Sequence, residues 1–339
     1  MTSFTSLQQF LRKNDDMNPI AAIFSVFILY RYSLVLSLAC AASICFFMAC
    51  CSYLEIPSVR ASFAVLTALL LSFPLSRLIY WYGRPHRFTS FIQALTAPGS
   101  ETLSLSGAFF GCLLAAFLTG GANYHKKMLD CMSVSGCAGI FLGRLGFFFT
   151  TAGRGQIMGP DTGFPWVYPV CNTAGYLEYR FATFLIQAAV AALLGILVAI
   201  VFFRKKTRPG DVMILFLLFY SASQIILDST RYDSLYLRSN GFISIVQVLS
   251  ALALVAVLVI LIIRAIKILG RRGWMMPFWI SLAGLLGGVG FMEYFVQRRG
   301  QEAAFAYTTM GIYLAGIVSI GLLLWYLTQP HLQEPKKLP

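Results

Sequence analysis

Charge is scarce in this chain, and acidic charge scarcest: 339 residues hold 13 Asp and Glu, 26 Lys and Arg, and three His. Only 12% of residues are charged while 58% are hydrophobic, a balance that excludes a soluble domain of this length. The apolar surface is ample, but it faces lipid rather than one water-excluded core. His86, His125 and His331 are far apart and no Cys-x-x-Cys occurs, so no metal-ligand spacing is present and neither a metal nor a cofactor is expected. The eight cysteines form no disulfide framework: seven sit in or beside apolar spans, where thiols behave as small apolar groups, and Cys171 alone falls in an outer loop. Linkers, low-complexity segments and strong internal repeats are lacking as well. The net charge of +13 does not point to nucleic acid, because the basic residues are spread over short loops without a basic face or an aromatic-interleaved stripe.

Apolar runs long enough to cross about 30 Å of hydrocarbon need roughly 20 residues. Nine candidates lie near Leu34–Cys51, Ala61–Tyr82, Leu103–Thr119, Met132–Phe149, Phe181–Phe203, Val212–Ser229, Phe242–Ile263, Trp274–Phe291 and Ala303–Leu327. Ile20–Tyr30 is too short to cross alone and reads as an interfacial helix or as the start of the first span. No signal peptide fits, because this run flows into Tyr30-Arg31-Tyr32 without a small-residue cleavage site. Lysine sets the orientation: with the amino terminus outside, the inner loops hold Lys126, Lys127, Lys205, Lys206, Lys267, Lys336 and Lys337, and only Lys13 falls outside. Arginine does not follow. Arg84, Arg87, Arg154, Arg180, Arg231, Arg238, Arg298 and Arg299 all fall outside, a surplus that suits an outward-facing site for an anionic headgroup, because guanidinium forks match phosphate oxygens.

One stretch concentrates the chemistry. Gly143-Arg144-Leu145-Gly146-Phe147-Phe148-Phe149 places a fixed positive charge at the end of an apolar run. A guanidinium at bilayer depth costs at least about 2.5 kcal/mol, so it either snorkels to the headgroups or binds something anionic that also lives in the membrane. Asp228 and Arg231 are three residues apart and can meet on one helix, with Gln224 on the same face. Gln247 and Ser250 share a face too, open to a ligand or to helix–helix hydrogen bonding. Arg77 and Arg180 stand at span ends and are snorkelling candidates first. The outer segment Thr150 to Arg180, rich in Gly and Pro and carrying Phe164-Pro165-Trp166-Val167-Tyr168, reads as an ordered cap rather than a tether.

In order and spacing these pieces resemble the bacterial prolipoprotein diacylglyceryl transferase family, over roughly Met17 to Ile263. The residues that carry the resemblance are Met17-Asn18-Pro19-Ile20 and Tyr30-Arg31-Tyr32-Ser33; Arg77-Leu78-Ile79-Tyr80; Leu103-Ser104-Leu105-Ser106-Gly107-Ala108; Gly143-Arg144 with Gly146 and Phe148; Phe164-Pro165-Trp166; Tyr220, Asp228, Arg231 and Asp233; and Gly241 through Gln247 with Ser250. The resemblance implies transfer of a diacylglyceryl group from phosphatidylglycerol to the lipobox cysteine of a secreted precursor. The departures fall on the chemistry. The family's third-span His falls on Ser106, its signature Asn on Phe147, a following Glu on Ala152 and a sixth-span Arg on Gln224, while another Glu is shortened to Asp228. Two further spans follow where the family usually stops at seven. Serine at its ordinary pKa cannot replace the missing base, so thiol activation falls to other groups, with Asp228, Glu178 and His86 the nearest candidates.

The expected architecture is all-α: a polytopic transmembrane bundle with a diacylglyceryl-transferase-like membrane domain over residues 17–263 and two additional helices with a cytoplasmic tail over 264–339. Arg144, Asp228 and Arg231 are expected to be catalytic, and Arg77, Tyr32, Ser106, Gln247 and Ser250 to bind substrate. The implied partners are an anionic phospholipid (phosphatidylglycerol), a prolipoprotein signal segment and the membrane itself, with no nucleic acid. The implied location is the bacterial inner membrane, amino terminus outside and carboxyl terminus cytoplasmic. A non-catalytic relative that binds anionic phospholipid or a lipoprotein segment is the alternative. A multi-span transporter is a third reading, without paired inverted segments to support it.

Overall fold

The computed structural model describes residues 19–97, 102–150, 152–158, 167–171, 176–204, 207–237, 243–270, 275–298 and 303–329. Met17, Asn18, Phe164-Pro165-Trp166, Gly241 and Lys13, Lys205, Lys206, Lys336 and Lys337, all named above, lie outside them. Helices α1 (Pro19–Tyr53), α2 (Ser58–Gly83), α4 (Leu105–Leu145), α5 (Thr183–Phe203), α6 (Asp211–Ser229), α7 (Ile245–Leu269), α8 (Met275–Arg298) and α9 (Ala303–Leu327) account for the apolar runs, with a short α3 (Phe91–Thr96) after α2. Among the described residues eight helices are therefore long and apolar enough to cross a membrane, and the chain is a multi-pass, all-α membrane bundle. Helix is the form such runs must take, because hydrocarbon offers no water to satisfy exposed peptide groups.

The run from Ile20 is continuous with the first span, the second of its two readings: α1 is one helix of 35 residues, about 50 Å long, of which Tyr30–Tyr53 is the part long and apolar enough to cross. One boundary differs from the sequence expectation. The third and fourth spans meet without a loop. α4 folds back on itself at Gly121, whose φ of 56° is open to glycine at no steric cost. The Thr119 hydroxyl reaches the Met128 sulfur at 3.7 Å, a contact impossible along a straight helix. The arms 105–120 and 122–145 therefore run back against each other. Lys126 and Lys127 sit just past the turn, within the second arm.

The antiparallel order gives the bundle two distinct ends. One gathers Tyr32, Gly83, Arg144, the start of α5, the end of α6 and the start of α7. The other gathers Tyr53 with Phe203, Arg60 over Tyr124, and Arg264 with Asp211. At the first end β1 (Val167–Cys171) and β2 (Leu177–Phe181) pair antiparallel, Val167 opposite Phe181, as an ordered cap. Two buried clusters run through the bundle. One joins α1, α2, α4, α5 and α6 around Phe47, Met128, Cys131, Val198 and Phe216. The other joins α6, α7, α8 and α9 around Leu218, Leu254, Leu258, Leu261, Met310 and Ile317. α6 contributes to both and is the most enclosed of the long helices. Its start is capped from a distance: the Asp130 carboxylate accepts from the backbone N–H groups of Gly210 at 2.7 Å and Met213 at 3.0 Å.

Close approach of α2 and the first arm of α4 rests on Gly107 and Gly111, a small-xxx-small face. A Cβ at Gly111 would lie 2.5 Å from the Cα of Ser72. Backbone contact at that distance lets the Ser72 hydroxyl donate to the Ala108 carbonyl at 3.0 Å and Ser76 to the Ser104 carbonyl at 2.8 Å. Gly111→Leu should push these helices apart and lower stability by about 1–3 kcal/mol. Unfolding in mixed detergent should show a correspondingly earlier midpoint than for Leu114→Ala, a lipid-facing control on the same arm.

Candidate functional site

The end of α6 cannot leave Arg231 unpaired, because its guanidinium is largely enclosed. The helix stops at Ser229, and Arg231 follows in a short extended segment whose backbone pairs with Gly155. The Arg231 Nε and Nη2 donate to Asp233 Oδ1 at 3.1 and 3.0 Å, and Nη1 donates to Asp228 Oδ1 at 3.4 Å. Each carboxylate has a second, independent donor. Asp233 Oδ2 accepts from the Gly153 N–H at 2.9 Å, and Asp228 Oδ2 accepts from the Ser244 hydroxyl. Burial alone would raise the Asp233 carboxyl, but the Arg231 charge and the Gly153 N–H outweigh it and hold the group below its ordinary value. Burial likewise opposes the Arg231 cation, and Asp233 and Asp228 more than offset it.

Arg144 closes the second arm of α4 beside this pair. It is 7% exposed, stands 5.5 Å from the Phe147 ring centroid, and is hydrogen-bonded with Tyr220 of α6. Arg231 is near enough to repel it. The ion pairs among the described residues give Arg144 no carboxylate, and its Nε is buried without a hydrogen-bond partner. A third cation borders the group. Arg154 is 3% exposed and lies 4.1 Å from the ring centroids of both Tyr168 and Phe184. Its Nη2 donates to the carbonyls of Phe147 at 3.0 Å and Thr150 at 3.2 Å. Burial lowers its pKa to about 10, against the pull of Tyr168 and Asp233, so it stays charged at neutral pH.

The first turn of α7 supplies the remaining wall. Ser244 and Gln247 form a reciprocal capping box, each side chain accepting from the other's backbone N–H at 3.0 Å. The Gln247 Nε2 donates to the Ile225 carbonyl at 3.2 Å and to Glu293 Oε1 at 3.1 Å. Ser250, one turn further, is buried. Tyr32 of α1 stacks on Phe147, ring centroids 5.8 Å apart, and so reaches the edge of the group.

The fold brings Arg144, Asp228, Arg231, Gln247 and Tyr32 to one end and one neighbourhood. It sets Arg77 apart: that side chain is 4% exposed and donates to the Ala97 carbonyl at 2.9 Å, in a corner between α2 and the loop after α3. Ser106 opens the first arm of α4 beside that corner. The expected Asp228–Arg231 helix pair is realised differently, since Arg231 lies past the helix end and its shorter bonds go to Asp233. Gln224 belongs elsewhere, accepting from buried Gln187 at 3.1 Å. Glu178 is held by Arg180 at 2.6 Å, and His86 is exposed in a 3₁₀ turn. Two groups were not picked out from the sequence, Ser244 and Glu293. Glu293 carried a signal, an acid beside an apolar run, but the expected span stopped at Phe291 whereas α8 runs to Arg298.

Asp233→Asn keeps the size of the side chain and removes its charge, and should cost about 1–3 kcal/mol at neutral pH. The folded carboxyl titrates below its ordinary 3.8. Its contribution is therefore complete above that value and is lost as pH falls through the folded value. Thermal unfolding measured from about pH 7 downward should differ for the two proteins by a constant amount above about pH 4, and the difference should shrink as pH falls further.

Residues 19–263 match the family described as prolipoprotein diacylglyceryl transferase. The chain is similar to the phosphatidylglycerol--prolipoprotein diacylglyceryl transferase of Acaryochloris marina, 26% identical over 185 residues that cover 52% of this chain and 65% of the relative. It is similar to the protein of the same name from Lactococcus lactis subsp. cremoris, 29% identical over 157 residues that cover 42% and 58% of the two chains. The Clostridium kluyveri protein of that name is 26% identical over 198 residues, covering 55% and 74%. The chain thus spans less than two thirds of the length of the first two relatives. The match of 19–263 takes in α1 through nearly all of α7, and with it every arginine and carboxylate of the group except Glu293. This chain belongs to the prolipoprotein diacylglyceryl transferase family.

Proposed function

We propose that the protein is an integral membrane transferase that moves a diacylglyceryl group from phosphatidylglycerol to the thiol of a lipobox cysteine in a prolipoprotein signal segment. The observation that carries this reading is Arg144, a buried cation at membrane depth with no carboxylate of its own, beside the clamped Arg231, in a chain of this family. In the reaction the thiol sulfur bonds to the terminal glycerol carbon and the bond from that carbon to the phosphate oxygen breaks. Glycerol phosphate leaves, and the thiol proton ends on it. The leaving oxygens gather charge as the bond breaks, and fixed guanidinium groups stabilise that charge without reorganising. Arg144 and Arg231 are assigned that role. Asp228 and Asp233 orient Arg231, and Tyr32, Gln247 and Ser250 line the lipid. Arg77 and Ser106, in their separate corner, are assigned to the acceptor peptide rather than the phosphate.

Lys126, Lys127 and Lys267 belong to the end of the bundle opposite the arginines. The positive-inside bias supports a cytoplasmic position for that end. The arginine group then opens to the outer leaflet of a bacterial inner membrane, with the amino terminus outside and the carboxyl terminus inside. Secreted precursors arrive on that side.

The test is transfer of labelled diacylglyceryl from phosphatidylglycerol to a lipobox peptide by the purified protein in vesicles. Arg144→Ala should abolish transfer in a protein that still folds and inserts. Arg144→Lys should recover only part of it, because a point charge lacks the fork that grips two phosphate oxygens. Equal rates for Arg144→Ala and the unaltered protein would sink the assignment. Phosphatidylglycerol binding without transfer would select the non-catalytic, lipid-binding relative instead.

A further inference from the structure

Residues 264–339 lie beyond the segment matched to the family, yet the helix pair they form is bonded into the arginine group. Helices in a bilayer gain no hydrophobic drive to associate, so packing and polar bonds decide whether they do. α8 and α9 have both. Met310, Ile317 and Leu324 are buried among Leu218, Leu254 and Leu258. At the lysine-bearing end the Gln329 Nε2 donates to Asp211 Oδ2 at 2.9 Å. At the other end Glu293 Oε1 accepts from Gln247 Nε2 at 3.1 Å and from the Ser229 hydroxyl at 3.2 Å, while the Tyr307 hydroxyl donates to the Ser229 carbonyl at 3.3 Å.

A carboxylate is an expensive way to make those bonds inside a span. An amide oxygen would accept the same two donors. What the carboxylate adds is a stronger, charge-assisted grip on the Gln247 amide and a fixed negative charge facing the loop after α6. Tyr236 in that loop registers it: burial first, then Asp228, Asp233 and Glu293, push its phenol above the ordinary value.

We propose that Glu293 is a positioning residue of the lipid site, which makes the C-terminal helix pair part of the unit that handles phospholipid. This deepens the reading given above and rests on it. Glu293 holds the Gln247 amide; Gln247 completes the capping box with Ser244; the Ser244 hydroxyl donates to Asp228; Asp228 shares Arg231 with Asp233. Four linked contacts thus run from the appended helix to the cation that faces the phosphate. Loss of the carboxylate removes one of the Gln247 amide's two acceptors, leaving the Ile225 carbonyl, and the acceptor of the Ser229 hydroxyl at once, at the point where α6 ends and α7 begins.

The test uses the full chain, titrated with phosphatidylglycerol in detergent for affinity and reconstituted for transfer to a lipobox peptide. Glu293→Ala should weaken phosphatidylglycerol about fivefold or more, as expected for coupled neighbours, and lower kcat about tenfold or more, as for a residue supporting a site ligand. Glu293→Gln, which keeps the acceptor but not the charge, should fall between. Leu285→Ala loosens the same helix pair where Leu285 meets Gly316. It should lower the melting temperature while leaving phosphatidylglycerol affinity within about twofold, because it touches no group in the chain of bonds. Unchanged affinity in Glu293→Ala overturns the proposal, and so does an equal loss of affinity in Leu285→Ala. If the unaltered protein binds phosphatidylglycerol but transfers nothing, the transferase reading fails and affinity alone decides the role of Glu293. If it binds none, both fail.

Discussion

A buried guanidinium must be neutralised by groups that themselves stay fixed, and Arg231 imposes that requirement on four separate segments. Asp228 comes from the last turn of α6, Asp233 from the loop beyond it, the Gly153 N–H from the segment after α4, and the Ser244 hydroxyl from the cap of α7. Removing either carboxylate would leave charge uncompensated, and a broken buried pair costs more than the pair contributes. The geometry of this end of the bundle therefore follows from one cation. The loop after α6 folds back over it, α7 starts where its capping serine can reach Asp228, and Gly153 brings its backbone N–H to Asp233.

Arg144 obeys the same physics with the opposite result. Arg231 repels it, and its bonded partner is the hydroxyl of Tyr220. Phe147 covers it with a ring face and Tyr32 stacks behind that ring. Such an environment tolerates a cation but does not satisfy it, and an anion placed between Arg144 and Arg231 would relieve their mutual repulsion. Here the fold holds two like charges together, at a cost in stability that only an intervening anion would offset.

The transmembrane plan was legible because hydropathy reports it directly: the nine apolar runs fall on eight long helices, two of them on the arms of α4. The turn at Gly121 was not, since the residues between Thr119 and Met132 are polar enough to read as a loop and remain helical through Lys126 and Lys127. Arg144, Asp228, Arg231 and Gln247 were legible as polar groups in or beside spans, where each must find a partner. Their actual partners were not, because Asp233, Ser244 and Gly153 stand in loops and at a helix cap, and the course of the backbone that brings them together is not encoded by periodicity. Arg77 read in sequence as a snorkelling span-end cation, and was still expected to bind substrate. Only the fold separates them, giving Arg77 the Ala97 carbonyl. Glu293 was hidden by a span boundary set a few residues too early.

α6 is held at both of its tips. Asp130 grips its first N–H groups, Arg264 and Gln329 hold Asp211 at the same tip, and Ser234 donates to the Asp228 carbonyl at the other. A shaft seated in two bearings does not slide. Axial displacement of α6 would break charged bonds at one tip or the other, so piston-like movement is closed to this helix.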